Sequence, residues 1–133
     1  MRTSELKGSL IIGALVVLGI AACTVAPIYN VADAPTTTAS GKSLTASQVR
    51  QGIITAGSAL GWRVVDAGPG RLEGTLALRT HTAVVDIPYS ATKYSILYKS
   101  GENLNAADGT IHKNYNGWVQ NLDKGIRATL SAL

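Results

Sequence analysis

This 133-residue chain has a single cysteine, Cys23, so no disulfide can form within it. It also has no phenylalanine, which leaves two tryptophans and five tyrosines to supply the aromatic packing of any core. The length is that of one domain. Without disulfides, such a domain has to be held together by its apolar core alone.

Clustered charge is missing as well. The formal net charge is +4, with 12 Lys and Arg against 8 Asp and Glu, and these residues are spread along the chain. Nucleic-acid-binding domains usually concentrate their basic residues in a patch or stripe. We therefore expect no nucleic-acid partner.

The first 23 residues have the layout of an export signal. Arg2 and Lys7 form a short basic start, and Leu10 to Ala22 is an apolar run without charge. The run ends on small residues directly before Cys23, as at a signal-peptide cleavage site. Residues 1–22 are therefore predicted to be a signal peptide.

The end of this signal, Ile20-Ala21-Ala22-Cys23, resembles the lipobox of bacterial lipoproteins, although Ile20 stands where that family most often has leucine. The resemblance covers only the signal region. It implies cleavage before Cys23 by signal peptidase II, diacylation of the Cys23 sulfur through a thioether-linked lipid, and acylation of the new amino terminus, with fatty acids such as palmitate. In a host with two membranes it implies the periplasmic face of the outer membrane. The expected lipid partner is the bilayer that holds the acylated Cys23.

An uncleaved transmembrane helix is the alternative. Leu10 to Ala22 is too short to span a bilayer, but an extension to Ile28 reaches the required length of about 20 residues. That anchor would place the protein in the inner membrane. In both cases Arg2 and Lys7 stay inside and the rest of the chain is exported.

After the signal, we predict a lipidated Cys23 with a flexible tether (23–43) and then a small domain (44–133). Residues 24–43 are rich in Ala, Thr, Pro and Ser and have too little apolar surface to order themselves. As a flexible coil, about twenty residues would span roughly 25 Å. The domain would then be free to tilt near the membrane.

Two helices are predicted in this domain. The first begins at a capping box formed by Thr45 and Gln48, and Gly61 is placed to end it in the left-handed conformation. The second runs from about His112 to Ser131. Its apolar residues repeat every three or four positions, as Ile111, Tyr115, Trp118, Leu122, Ile126 and Leu130.

Four strands are predicted between the helices, beginning with Trp62 to Asp66. The next two strands alternate apolar and polar residues, and we expect a four-residue loop, Arg79 to Thr82, that places Leu76 opposite Val85. A turn at residues 90–93 leads into the last strand. The predicted fold is an α+β two-layer sandwich in the order α-β-β-β-β-α, with a four-stranded antiparallel meander and both helices on one face.

The sequence offers little catalytic chemistry. His81 is expected in an exposed turn and His112 at a helix start, and neither belongs to a metal-binding histidine motif. Carboxylates in the strand region are never paired at short spacing. We therefore predict no catalytic residue, no metal and no cofactor, and hence a protein that is not an enzyme.

The outward face of the predicted sheet has more apolar residues than contact with water requires. An apolar centre inside a charged rim is typical of a protein–protein contact, although single apolar residues are also common on ordinary surfaces. The candidate binding residues on this face are Val65, Ala77, Arg79, Val84, Asp86 and Leu97.

Three functions are consistent with these features. The leading one is an envelope lipoprotein that binds or scaffolds another envelope protein through the outward face of the sheet. The second is a lipid- or glycan-binding lipoprotein that uses Trp62, Tyr94 and Trp118 between the sheet and the helices. The third is an envelope hydrolase, which would require a cleft joining His81 or His112 to a carboxylate.

Overall fold

The computed structural model describes Gly13 and residues 24–133; apart from Gly13, the predicted signal peptide lies outside the described residues, as does Cys23. The elements follow one another as β1 (Val25–Pro27), β2 (Val31–Pro35), α1 (Ala46–Ala59), β3 (Arg63–Asp66), β4 (Arg71–Leu78), β5 (His81–Pro88), β6 (Lys93–Glu102), β7 (Thr110–His112) and α2 (Lys113–Ser131). Neither helix in this part of the chain has the length and apolar character needed to cross a membrane.

The strands form two antiparallel sheets. The larger has the order β2-β6-β5-β4-β3, and the smaller is the pair β1-β7. The predicted α+β class is confirmed. The four predicted strands appear as β3 to β6 in sequence order, but the sheet has a fifth strand, β2, beside β6.

That fifth strand comes from the segment that was predicted to be a flexible tether. Val31 and Ala34 are 5% and 3% exposed, because both face the core where β2 pairs with β6. A bulge between them, with Asp33 at φ 51°, lets two apolar residues three positions apart reach the same face. The composition of the segment concealed this, since only two of its five strand residues are buried.

Local signals position α1 as predicted. The Thr45 side chain accepts a hydrogen bond from the Gln48 backbone N–H, and the Gln48 side chain accepts one from the Thr45 N–H. At the other end Gly61 adopts φ 87°, and the N–H groups of Gly61 and Trp62 donate to the carbonyl oxygens of Ser58 and Gly57. This is a Schellman motif, which turns the chain directly into β3.

The β4–β5 hairpin has a different register from the predicted one. Leu76 lies opposite Ala83, not opposite Val85, and the loop is the two-residue turn Arg79-Thr80 with Arg79 at φ 54°. The predicted four-residue loop was wrong, and the predicted pairing of β4 with β5 was shifted by two residues along β5. Apolar alternation has a period of two, so a shift of two positions leaves every inward residue on the same face.

The core lies between the larger sheet and the two helices, which run antiparallel to each other. Glycines allow close approach on two sides of α1: a Cβ on Gly52 would lie 2.6 Å from Leu130 Cδ2 on α2, and a Cβ on Gly57 would lie 2.6 Å from Val64 Cγ2 on β3. The largest side chains with less than 2% exposure are Tyr94, Tyr115, Ile53, Leu72, Ile87, Ile96, Ile111, Leu122, Ile126 and Leu130.

Two glycine substitutions in the helices should have opposite effects. Gly117→Ala should stabilise the fold by about 0.5–1 kcal/mol, because alanine favours the helix and a Cβ at that position meets no atom within 4 Å. Gly57→Ala should destabilise it by about 1–3 kcal/mol, because its Cβ would collide with Val64. Thermal unfolding followed by circular dichroism would measure both, and shifts of the same sign would contradict this account of helix packing.

Candidate functional site

The outward face of the larger sheet is defined by its register. Leu72, Leu76 and Val85 are buried, so their neighbours along β4 and β5 point away from the helices. Directly opposed residues on antiparallel strands share a face. One outward row therefore crosses four strands, as Val65, Glu73, Asp86 and Leu97.

This row places charge at the centre of the predicted binding face. Lys99 Nζ lies 2.7 Å from Glu73 Oε2 and 3.8 Å from Asp86 Oδ1. The shorter contact is a hydrogen bond, whereas the longer one is only an ion pair. Asp86 Oδ1, which is buried, therefore has no hydrogen-bond partner among the described residues. The hydrogen bond to Glu73, with the nearby charge of Asp86, raises the pKa of Lys99.

A bulge in β6 brings Lys99 to this position. Val84 pairs with Ser100 and Val85 with Tyr98, so Lys99 is the extra residue between two paired positions. Bulges redirect a side chain without breaking the strand. Here the bulge places the ammonium group over two carboxylates that face one another on adjacent strands, β4 and β5.

The apolar residues of the predicted site are separated from one another. Val65 and Leu97 are 42% and 36% exposed, but they stand at opposite ends of the row, three strand spacings or roughly 14 Å apart. Val84 is half-buried between Thr75 and Ser100, in the neighbouring row. The expected apolar centre with a charged rim is therefore reversed.

The remaining candidates lie toward one end of the sheet. Ala77 is exposed and pairs with Thr82, near the hairpin. Arg79 is not on the outward face at all, because it occupies the first position of the β4–β5 turn. The structure thus brings Val65, Val84, Asp86 and Leu97 onto one surface, with Ala77 at its edge and Arg79 beyond it.

The two histidines lie together, which the sequence did not predict. Their ring centroids are 5.8 Å apart, and the His81 ring is 6.2 Å from Trp118. His81 Nδ1 is 2.8 Å from the Asn103 carbonyl oxygen, so this nitrogen donates. His112 Nδ1 instead accepts from the Asn114 N–H at 3.2 Å and caps α2. Each histidine side chain therefore forms a hydrogen bond with a backbone group, that of Asn103 or Asn114.

The catalytic and metal-binding possibilities at these histidines are limited. Among the described residues, no carboxylate lies within ion-pair distance of either ring. The same part of the chain contains no group of three or more His, Cys, Asp or Glu side chains placed to hold a metal. A hydrolase of the kind considered above requires a base oriented by a carboxylate, and this pair of histidines does not supply one.

The three rings proposed to hold a lipid or glycan do not line a common cavity. Trp62 and Tyr94 are 3% and 1% exposed and belong to the packed core, whereas Trp118 lies at its edge beside His81. Surface grooves of about 270, 250 and 110 Å³ occur in the described chain; Tyr94 contributes to the smallest of them, and neither tryptophan lines any of the three.

A buried polar contact links α2 to the sheet. Tyr94 Oη donates to Asp123 Oδ1 at 2.6 Å, and Arg127 Nε donates to Asp123 Oδ2 at 3.0 Å. Burial and the hydrogen bond to Asp123 raise the pKa of Tyr94. This contact was not predicted, although Asp123 lies four positions after Val119 on the apolar face of α2, and an acidic residue at that position was a usable signal.

Comparison with family models, with curated proteins and with solved structures finds no match for this chain.

Two tyrosine-to-phenylalanine substitutions should separate a satisfied hydroxyl from an unsatisfied one. Tyr94→Phe should cost about 1.5–3 kcal/mol, because it removes a hydrogen bond to a buried carboxylate. Tyr115→Phe should be neutral or stabilising by about 1 kcal/mol, because Tyr115 Oη is buried without a hydrogen-bond partner in the described residues. Urea unfolding would compare them, and an equal loss in both variants would contradict the prediction.

Proposed function

We propose that this chain is a non-catalytic, membrane-anchored lipoprotein of the cell envelope that binds another envelope protein through the outward face of its larger sheet. The observation that carries the proposal is the open state of that face. Both helices pack on the opposite side, where they bury the inner residues of the sheet. The outward residues of β3 to β6 remain half-buried or exposed.

The chemistry of this face suits a polar contact with a protein. Its centre is an ion network in which one ammonium group, that of Lys99, lies between the carboxylates of Glu73 and Asp86, and its exposed valine and leucine stand apart from each other. Non-obligate interfaces are only about as apolar as the rest of a protein surface. A face of this composition does not require permanent burial, so the partner is expected to associate and dissociate.

The size of the face limits the strength of the contact. The three strand spacings from β3 to β6 and the eight residues of β4 and β5 give at most roughly 14 by 25 Å, or about 350 Å² in projection, since β3 has only four residues. A stable interface of standard size buries about 800 Å² on each partner. The sheet alone therefore supports a weak contact, or one part of a contact that other surfaces of the chain complete.

Photo-crosslinking in intact cells would test the partner. A crosslinking amino acid at Val84 or Leu97 should give one specific adduct, because both side chains project from the outward face. Thr55 on α1 is a matched control, since it is exposed on the helix side of the domain. A diffuse set of adducts from all three positions, or none from the sheet positions, would contradict binding through this face.

Substitution of Cys23 would test the anchor. We expect the parent protein to carry acyl chains on residue 23 and to fractionate with the membrane, whereas Cys23→Ser should be left unacylated and without lipoprotein processing. Ile20→Leu, which restores the residue most frequent in the lipobox, serves as the control and should behave as the parent does. Mass spectrometry of membrane extracts gives the answer, and a Cys23→Ser protein processed and retained like the parent would exclude a lipid anchor.

A further inference from the structure

The residues that directly follow position 23 are fastened to the start of α2. The Lys113 N–H donates to the Thr24 carbonyl oxygen at 2.9 Å. From there β1 pairs with β7, with Val25 opposite His112, and the Ile28 N–H donates to the Gly109 carbonyl oxygen at 2.9 Å. From Thr24 onward, the chain is therefore held to the domain by backbone hydrogen bonds.

A side chain completes this attachment. Asn116 Nδ2 donates to the Pro27 carbonyl oxygen at 2.8 Å, and Asn116 Oδ1 accepts from the Tyr29 N–H at 3.0 Å. Two residues later β2 begins, and its pairing with β6 continues to Pro35. Residues 24–35 thus contain no free stretch that could act as a tether.

One end of the domain surrounds this point of attachment. The Asn103 side chain donates to the Thr80 carbonyl oxygen at 2.6 Å, and the His112 N–H donates to the Leu104 carbonyl oxygen at 2.7 Å. The β4–β5 turn and the loop after β6 are thereby joined to the strand that pairs with Val25. We call this surface the anchor end; its members are Thr24, Arg79, Thr80, Asn103, His112 and Lys113.

The opposite end is distant. The Ala39 N–H donates to the Ser131 carbonyl oxygen, and the Thr36 N–H donates to the Thr92 carbonyl oxygen in the β5–β6 turn. The 19 residues of α2 separate the two ends by about 28 Å. Residue 24 is therefore bound to the domain at the amino-terminal end of α2, far from the end near Ser131.

We propose that the anchor end rests on the lipid headgroups of the membrane that holds residue 23, so that the domain keeps one orientation instead of tilting on a tether. This inference rests on the membrane attachment in the proposed function. Exposed Arg79 and Lys113 can meet lipid phosphates. Glu102 and Asp108 are also exposed nearby, so the charge of this surface alone does not favour contact with an anionic membrane. The proposal instead depends on the backbone hydrogen bonds that begin at Thr24, because they leave no flexible segment between residue 23 and the domain.

Depth-dependent quenching would test the orientation. A genetically encoded fluorescent amino acid is placed at Asn114, beside the anchor end, or at Ala39, at the opposite end; both positions are exposed. The acylated protein is then reconstituted in phosphatidylethanolamine–phosphatidylglycerol vesicles that contain headgroup spin-labelled lipid. The label at position 114 should lose most of its emission, whereas the label at position 39 should keep it.

Two variants supply the controls. Insertion of twenty Gly and Ser residues between positions 23 and 24 should make the two labels respond alike, because the anchor end is then released from the headgroups. Asn116→Ala removes the hydrogen bonds to the backbone of residues 27 and 29, and it should reduce the difference in quenching between the labels at positions 114 and 39. Equal quenching at positions 114 and 39 without the inserted linker would overturn the proposed orientation.

Failure of the anchor is distinguishable from failure of the orientation. If mass spectrometry finds Cys23 unmodified, the lipoprotein assignment is contradicted. The free Cys23 thiol is then coupled to a maleimide lipid, which provides the same point of attachment, and the two labels are compared again. An acylated or coupled protein with stronger quenching at position 114 than at position 39 supports the orientation, and one with equal or reversed quenching excludes it.

Discussion

The contact between α2 and the inner face of the larger sheet is the constraint on which the structure depends. Tyr115, Leu122 and Ile126 on α2 are each 0% exposed, as are Leu72, Ile87 and Ile96 on the sheet. Burial of each such side chain contributes about 1.5–3 kcal/mol. Because the single cysteine precludes an internal disulfide, this apolar contact has to offset the conformational entropy of the chain.

The same contact also contains the buried charge of Asp123. A carboxylate in an apolar core is costly unless it is paired and hydrogen-bonded. Tyr94 from the sheet and Arg127 from the next turn of α2 both donate to it. The hydrogen bond from Tyr94 fixes how α2 is placed along β6, a directional restraint that apolar side chains alone do not provide. This polar contact therefore adds specificity to a packing that hydrophobic burial drives.

Sequence reasoning succeeded where the signal was local. The capping box at Thr45 and the left-handed Gly61 require only neighbouring residues, and both are present. It failed where the outcome depends on partners far along the chain. The β4–β5 register was ambiguous because a shift of two residues preserves the inward face. The strand β2 was missed because its two buried residues become apolar anchors only beside β6.

The candidate site shows the same division between local and distant information. Alternation placed Val65, Val84, Asp86 and Leu97 on the outward face, as the structure has them. The arrangement within that face depends on register and on the bulge at Lys99, neither of which the pattern specifies. An apolar centre was therefore expected where the strands in fact bring two carboxylates and an ammonium group together. Strand β6 runs from the end near Thr92 toward the anchor end. With the anchor end on the membrane, the strands of this face would therefore point toward the bilayer, and the face itself would be turned sideways. A neighbouring membrane-bound protein could then reach it.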